Sequence, residues 1–145
     1  MSLTFTVIGE PAPQGSKSFM GMRGGHAVLA ESSKKVKPWR ISVEWAAREA
    51  MCGQILPIAG PASVTMTFYL RRPKSAPKRV KLPFRLPDLD KLVRSTLDAI
   101  TIAGVIEDDA RVVRINAWKV FADSACVDGL NVPGAIITVS EVQTP

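Results

Sequence analysis

Two pairs of aspartates, Asp88 with Asp90 and Asp108 with Asp109, stand in a 145-residue chain that has a single histidine, His26, and two cysteines, Cys52 and Cys126. Carboxylates gathered without imidazole or thiolate partners are hard oxygen donors. That set suits Mg²⁺, with Mn²⁺ as a substitute, because such an ion keeps positions open for substrate phosphates. The chemistry it would serve is metal-assisted phosphodiester hydrolysis. One histidine and two distant cysteines with no CxxC exclude the usual zinc sites and histidine-based triads. Each aspartate also has a structural reading: Asp88 as a helix cap, Asp90 paired with Arg94, Arg94 in turn four residues before Asp98, and Asp108 and Asp109 polarising a turn.

Whether the pairs can meet depends on the elements that carry them. Leu89, Leu92, Val93, Thr96, Leu97 and Ile100 recur on one helical face, with Asp88 at the start and Gly104 past the end, which predicts a helix over Asp88 to Ala103. From Asp90 that helix rises roughly 20 Å. The residues from Ala103 to Asp109, if extended and turned back at Gly104, return roughly the same distance and bring Asp109 beside Asp90. A second helix is expected from Pro38 to Met51, on Trp39, Val43, Ala46, Ala47 and Ala50, with Gly53 as its stop. Strands are expected at Leu3–Ile8, Ser63–Leu70, Val112–Phe121 and Ala135–Val142, with a short one at His26–Ala30 after a mobile, glycine-rich Phe19–Gly25. The fold class is α/β of the α+β kind: one mixed sheet covered by two helices, forming one domain over residues 1–145.

Charge is laid out unevenly. The total is +6, but residues 1–80 carry 12 basic against 4 acidic residues, whereas all seven aspartates lie beyond them. Arg71, Arg72, Lys74, Lys78, Arg79, Lys81 and Arg85 sit in a proline-rich loop, about 71–87, that has no acidic residue. With Lys17, and with Lys34, Lys35 and Lys37 beside Trp39, they read as phosphate contacts on DNA, the tryptophan being able to stack on a base. The loop from Glu10 to Lys17 lacks the GK[ST] ending and the glycine spacing of a P-loop, and that reading is rejected. No apolar run approaches a membrane span and Met1–Gly9 lacks the pattern of a signal peptide, so a cytoplasmic setting without membrane is expected.

The run Asp88-Leu89-Asp90-Lys91-Leu92-Val93-Arg94, then Leu97-Asp98-Ala99-Ile100, then Ala103-Gly104-Val105-Ile106-Glu107-Asp108-Asp109 resembles the RusA family of Holliday-junction resolvases, common in phages and prophages. The Gly9-x-Pro11-x-Pro13-x-Gly15 loop, the lysine-rich lead into the first helix and Val112–Lys119 extend the likeness. The resemblance implies a homodimeric, Mg²⁺-dependent endodeoxyribonuclease that makes paired cuts in four-way junction DNA and needs no small-molecule cofactor. It assigns Asp88, Asp90 and Asp109 as the essential carboxylates; our reading adds Asp108 as a further metal ligand, Asp98 in support, and Arg94 or Lys91 near the phosphate. Lys91 replaces the family's asparagine, and Arg94 replaces its functional lysine. A guanidinium beside the scissile phosphate keeps the charge but does not readily release a proton. The rival implication is a junction- or duplex-binding protein with weakened or lost catalysis.

Overall fold

The computed structural model describes residues 2–15, 17–23, 26–31, 34–52, 57–123 and 129–143, with 17–23 and 26–31 described as backbone alone. The expected helix stop at Gly53, Cys126 and the Lys17 side chain lie outside what is described. In chain order the elements are β1 (Ser2–Ile8), β2 (Lys17–Arg23), β3 (His26–Glu31), α1 (Val36–Ala50), β4 (Ala62–Leu70), α2 (Leu89–Ala103), a 3-10 turn (Asp109–Arg111), β5 (Val112–Phe121) and β6 (Gly134–Glu141).

Four strands form one mixed sheet in the order β1-β6-β4-β5, antiparallel except for the β4–β5 pair, which is parallel. Alternation along each strand decides which side is buried. Leu3, Phe5 and Val7 of β1, Ala135, Ile137 and Val139 of β6, and Val64, Met66 and Phe68 of β4 all enter the core. The register aligns them in rows, one of which runs Phe5, Ile137, Met66, Ala117 and the next Val7, Ala135, Phe68, Lys119. The second row therefore ends on a lysine at the edge of the sheet.

Both helices pack on these core residues. Trp39, Val43 and Ala47, four residues apart, are the buried stripe of α1. Trp39 lies tilted against Phe68, its ring centroid 6.4 Å away, and its Nε1 donates to Thr96 Oγ1 of α2 at 3.1 Å. That bond gives the indole a polar partner inside the core. Because Trp39 is only 1% exposed, it cannot stack on a base, contrary to the expectation from its lysine-rich surroundings.

The chain departs from expectation in a second place. Lys17–Arg23 is a strand, paired antiparallel with β3, where Phe19–Gly25 was expected to be mobile. The register of the pair shifts between Phe19 and Met22, around Gly21, so a bulge absorbs the glycine without ending the strand.

Candidate active site

The helix that carries the acidic motif runs between Asp88 and Gly104. Asp88 is its N-cap residue with extended backbone (φ −68°, ψ 135°), and Gly104 closes it in the left-handed region at φ +89°, a conformation that glycine adopts without a Cβ clash. The carboxylate of Asp88 makes no capping hydrogen bond. It faces the Lys91 ammonium instead, Oδ2 to Nζ 3.3 Å. Asp90, in the first turn, is exposed.

Asp109 does not return to Asp90. After Gly104 the backbone forms a parallel bridge between Ile106 and Ile58, with Ile58 N–H donating to Val105 O and Glu107 N–H to Ile58 O, both at 3.0 Å. Those residues are held at the C-terminal end of α2 and cannot fold back along it. Asp109 stays at that end, accepting a hydrogen bond from the Thr101 hydroxyl. Asp108 accepts from Ala110 N–H at 2.7 Å and so caps the 3-10 turn. Thr101 lies eleven positions after Asp90, roughly 16 Å along the axis. Among the described residues no three carboxylate, imidazole or thiol side chains lie close enough to share a metal ion. The sequence-derived gathering of Asp88, Asp90, Asp108 and Asp109 within one chain is thereby corrected.

A cleft of about 450 Å³ opens at the Asp88 end. Its walls come from the loop after β1 (Glu10–Pro13), Lys35 ahead of α1, Leu70 and Arg71 at the end of β4, and Leu86–Asp88 with Lys91. Three cations and two carboxylates thus share one opening. Glu10 bridges two of the cations, 2.7 Å to Lys35 Nζ and 3.6 Å to Arg71 Nε. Hydrogen bonding to Lys35 holds the Glu10 carboxyl below its ordinary pKa, with Arg71 adding to the effect.

The loop after β1 lies along α2. Ser95 Oγ donates to Ala12 O at 2.6 Å, Gln14 N–H donates to Lys91 O at 3.1 Å, and the Gln14 side-chain amide donates to Asp98. Asp98 is therefore held by Gln14 and not by Arg94 as expected. Arg94 is exposed and crosses over Gly15, whose φ of +98° explains the glycine.

The basic loop has internal order. Arg72 stacks 4.2 Å over the Phe121 ring, pairs with Asp123 at 2.7 Å, and donates to Pro77 O and Val80 O. This one arginine organises the loop, while Lys74, Lys78, Arg79, Lys81 and Arg85 stay exposed. Lys34 and Lys37 are exposed as well. At the far end of the loop Lys119 Nζ donates to Arg85 O at 2.6 Å and Pro87 O at 2.9 Å. Sequence reasoning assigned no role to Lys119, Gln14 or Glu10. The alternation of β5, which sets Lys119 in register with the core residue Phe68, was the signal available for Lys119.

The endodeoxyribonuclease RusA family model matches residues 9–128. The chain belongs to this family. No curated protein matches it significantly. The match runs from the loop that lines the cleft, through α2 and both aspartate pairs, past the end of β5. Membership makes the protein an endonuclease of the type that acts on DNA junctions. No helix among the described residues is long and apolar enough to cross a membrane.

Proposed function

We propose that this RusA-family protein resolves four-way DNA junctions by divalent-cation-dependent phosphodiester hydrolysis, and that each cleavage site draws carboxylates from two copies of the chain. The observation that carries this reading is the split along α2. Asp88 lines a cleft that holds three cations, exposed Asp90 follows it in the first turn, and Asp109 stands at the opposite end of the same helix. The donor chemistry fits a hard cation such as Mg²⁺ or Mn²⁺, but one chain does not complete the set. Bound there, the cation would supply charge stabilisation at the phosphate and an activated water.

A second copy packed antiparallel about the middle of α2 sets its Asp109 beside the first copy's Asp90, and the reverse at the other end. Two features favour that flank. Edge strand β5 exposes Val113 (64%) and Ile115 (45%), and Leu97 of α2 is only partly buried. Large apolar side chains of this kind mark an interface when they lie together, and a two-fold contact uses the same patch on both copies. Arg71, Lys91 and Lys35 then bind the backbone of the strand to be cut, and the exposed cations of the 71–87 loop hold the adjoining duplex arm. Two symmetric sites suit the two symmetric cuts that a junction requires.

The test is complementation. Asp90→Asn and Asp109→Asn chains are each expected to be inactive on a labelled synthetic junction with Mg²⁺. Mixed to form heterodimers, they leave one site with both native carboxylates, so nicking returns without resolution. Mixed dimers, verified by mass, that remain inactive would show that each chain supplies all its own ligands. A native protein that binds the junction with Mg²⁺ present and never cuts would favour the rival reading, in which the Lys91 and Arg94 replacements have ended catalysis.

A further inference from the structure

The segment that leads into Asp88 is poorly held by packing. Leu82, Phe84 and Leu86 are 51%, 75% and 84% exposed, and the hydrogen bonds by which Arg72 organises the loop stop at Val80. Yet the direction of the Asp88 carboxylate depends on where this segment leaves its backbone. Asp88 precedes the first helical residue, and its carboxylate has no capping bond, only the solvent-accessible ion pair with Lys91.

Lys119 meets that need. It is the last member of the row Val7, Ala135, Phe68, Lys119, so its stem leaves the sheet on the helix side, next to the buried Phe68. At the edge strand a long side chain can bury its methylenes and carry its ammonium past the core. The ammonium then donates to Arg85 O and Pro87 O, at 2.6 and 2.9 Å, the second belonging to the peptide group that enters Asp88. Hydrogen bonds from a charged donor are about twice as strong as neutral ones. Two of the three N–H donors of Lys119 are engaged inward, unlike the exposed cations of the loop.

We infer that Lys119 is a positioning residue for cleavage: it ties the end of β5 to the backbone at Arg85–Pro87 and thereby presets the direction of Asp88. This rests on the proposed role of Asp88. It separates Lys119 from the DNA-binding lysines, because its loss disturbs the chemical step and leaves affinity intact.

The test compares Lys119→Met, which keeps the stem and removes the donors, with Lys119→Arg, which keeps charge and donors. Three quantities are read on the full chain: the single-turnover cleavage rate at saturating protein, the junction Kd without divalent cation, and the rate of trypsin cleavage after Arg85. Lys119→Met is expected to cut about 10 to 100 times more slowly, the range for residues that orient a ligand. Its Kd should stay within about two-fold, since no phosphate contact is lost. Trypsin should cut after Arg85 faster, and Lys119→Arg should recover both protection and most of the rate. A weaker Kd with unchanged protection at Arg85 would make Lys119 a phosphate contact and overturn the inference. So would a wild-type cleavage rate in a Lys119→Met protein whose Arg85 has become accessible. If Lys119→Met does not fold, Lys119→Gln is read by the same criteria. Asp88→Asn is assayed in parallel. If it still cuts, the proposed function falls and the inference with it, whereas an inactive Asp88→Asn beside a fully active Lys119→Met removes the inference alone.

Discussion

The two ends of α2 carry the same residue type and use it differently. At the N-terminal end the Asp88 carboxylate neither caps the helix nor bonds to backbone, and it faces Lys91 across a cleft that also holds Lys35 and Arg71. At the C-terminal end both carboxylates are engaged nearby, Asp108 by Ala110 N–H and Asp109 by the Thr101 hydroxyl. A carboxylate held only by one solvent-accessible ion pair is readily available to a ligand. One already bonded can serve only by exchanging a partner. The contrast teaches that an acidic motif continuous in sequence can be two half-sites in space, each wanting the other from elsewhere.

The sharpest way to break this comparison is substitution at the open end. Asp88→Asn and Asp90→Asn should each lower junction cleavage by more than about 100-fold, beyond the usual range for a supporting residue. Junction binding should hold or tighten, because negative charge facing phosphate is removed. Gel-shift and cleavage assays on one preparation separate the two effects, and a parallel loss of both would count against the assignment. At the closed end Asp108→Ala should act mainly on folding. Losing a capping acceptor costs about 1 kcal/mol, visible as a shift of the denaturation midpoint, while cleavage per folded molecule changes less than about ten-fold. Equal loss of activity at Asp108 and Asp109 would erase the distinction.

Neighbours in the basic loop extend the contrast. Arg72→Ala removes the stack on Phe121 and several charge-assisted hydrogen bonds, so about 2 kcal/mol of stability should go, with the salt dependence of DNA binding unchanged. Lys78→Ala or Arg79→Ala should do the reverse, lowering the slope of log affinity against log salt by about 1 each with no change in melting. The smallest effect concerns Glu10. Its pKa is depressed in the folded state, so its contribution is present above the ordinary glutamate pKa and is lost as pH falls through the lowered value. Glu10→Gln should therefore be slightly less stable than the native chain near neutrality, by a few tenths of a kcal/mol for so exposed a pair. The two melting curves should converge in acid.

Much of the fold was legible because it follows from periodicity. The stripe from Leu89 to Ile100, with Asp88 before it and Gly104 after it, marked both ends of α2, and runs of β-branched and aromatic residues located the strands whose alternate side chains form the core. Strand β3 was expected, but its partner β2 was hidden by a glycine-rich stretch that read as mobile, where a register shift lies between Phe19 and Met22. The site was legible in its residues and not in its assembly. Matching the length of α2 to the length of chain after it assumed that the latter was free to return. The bridge from Ile106 to Ile58, a pairing across distant sequence that no local pattern signals, holds that stretch where the helix ends. The segment that does come back beside Asp88 is the end of β5, bringing Lys119.

The length of α2 makes it a gauge. Asp88 and Gly104 bound a helix of 15 residues, about 22 Å long. If two copies share their carboxylates along it, the separation of the two cutting positions is written in the residue count of this one element. Deleting a single residue between Leu92 and Thr101 would turn one aspartate pair about 100° relative to the other and draw them about 1.5 Å closer. The span between acidic motifs should then tolerate exchange of side chains far better than any change in their number.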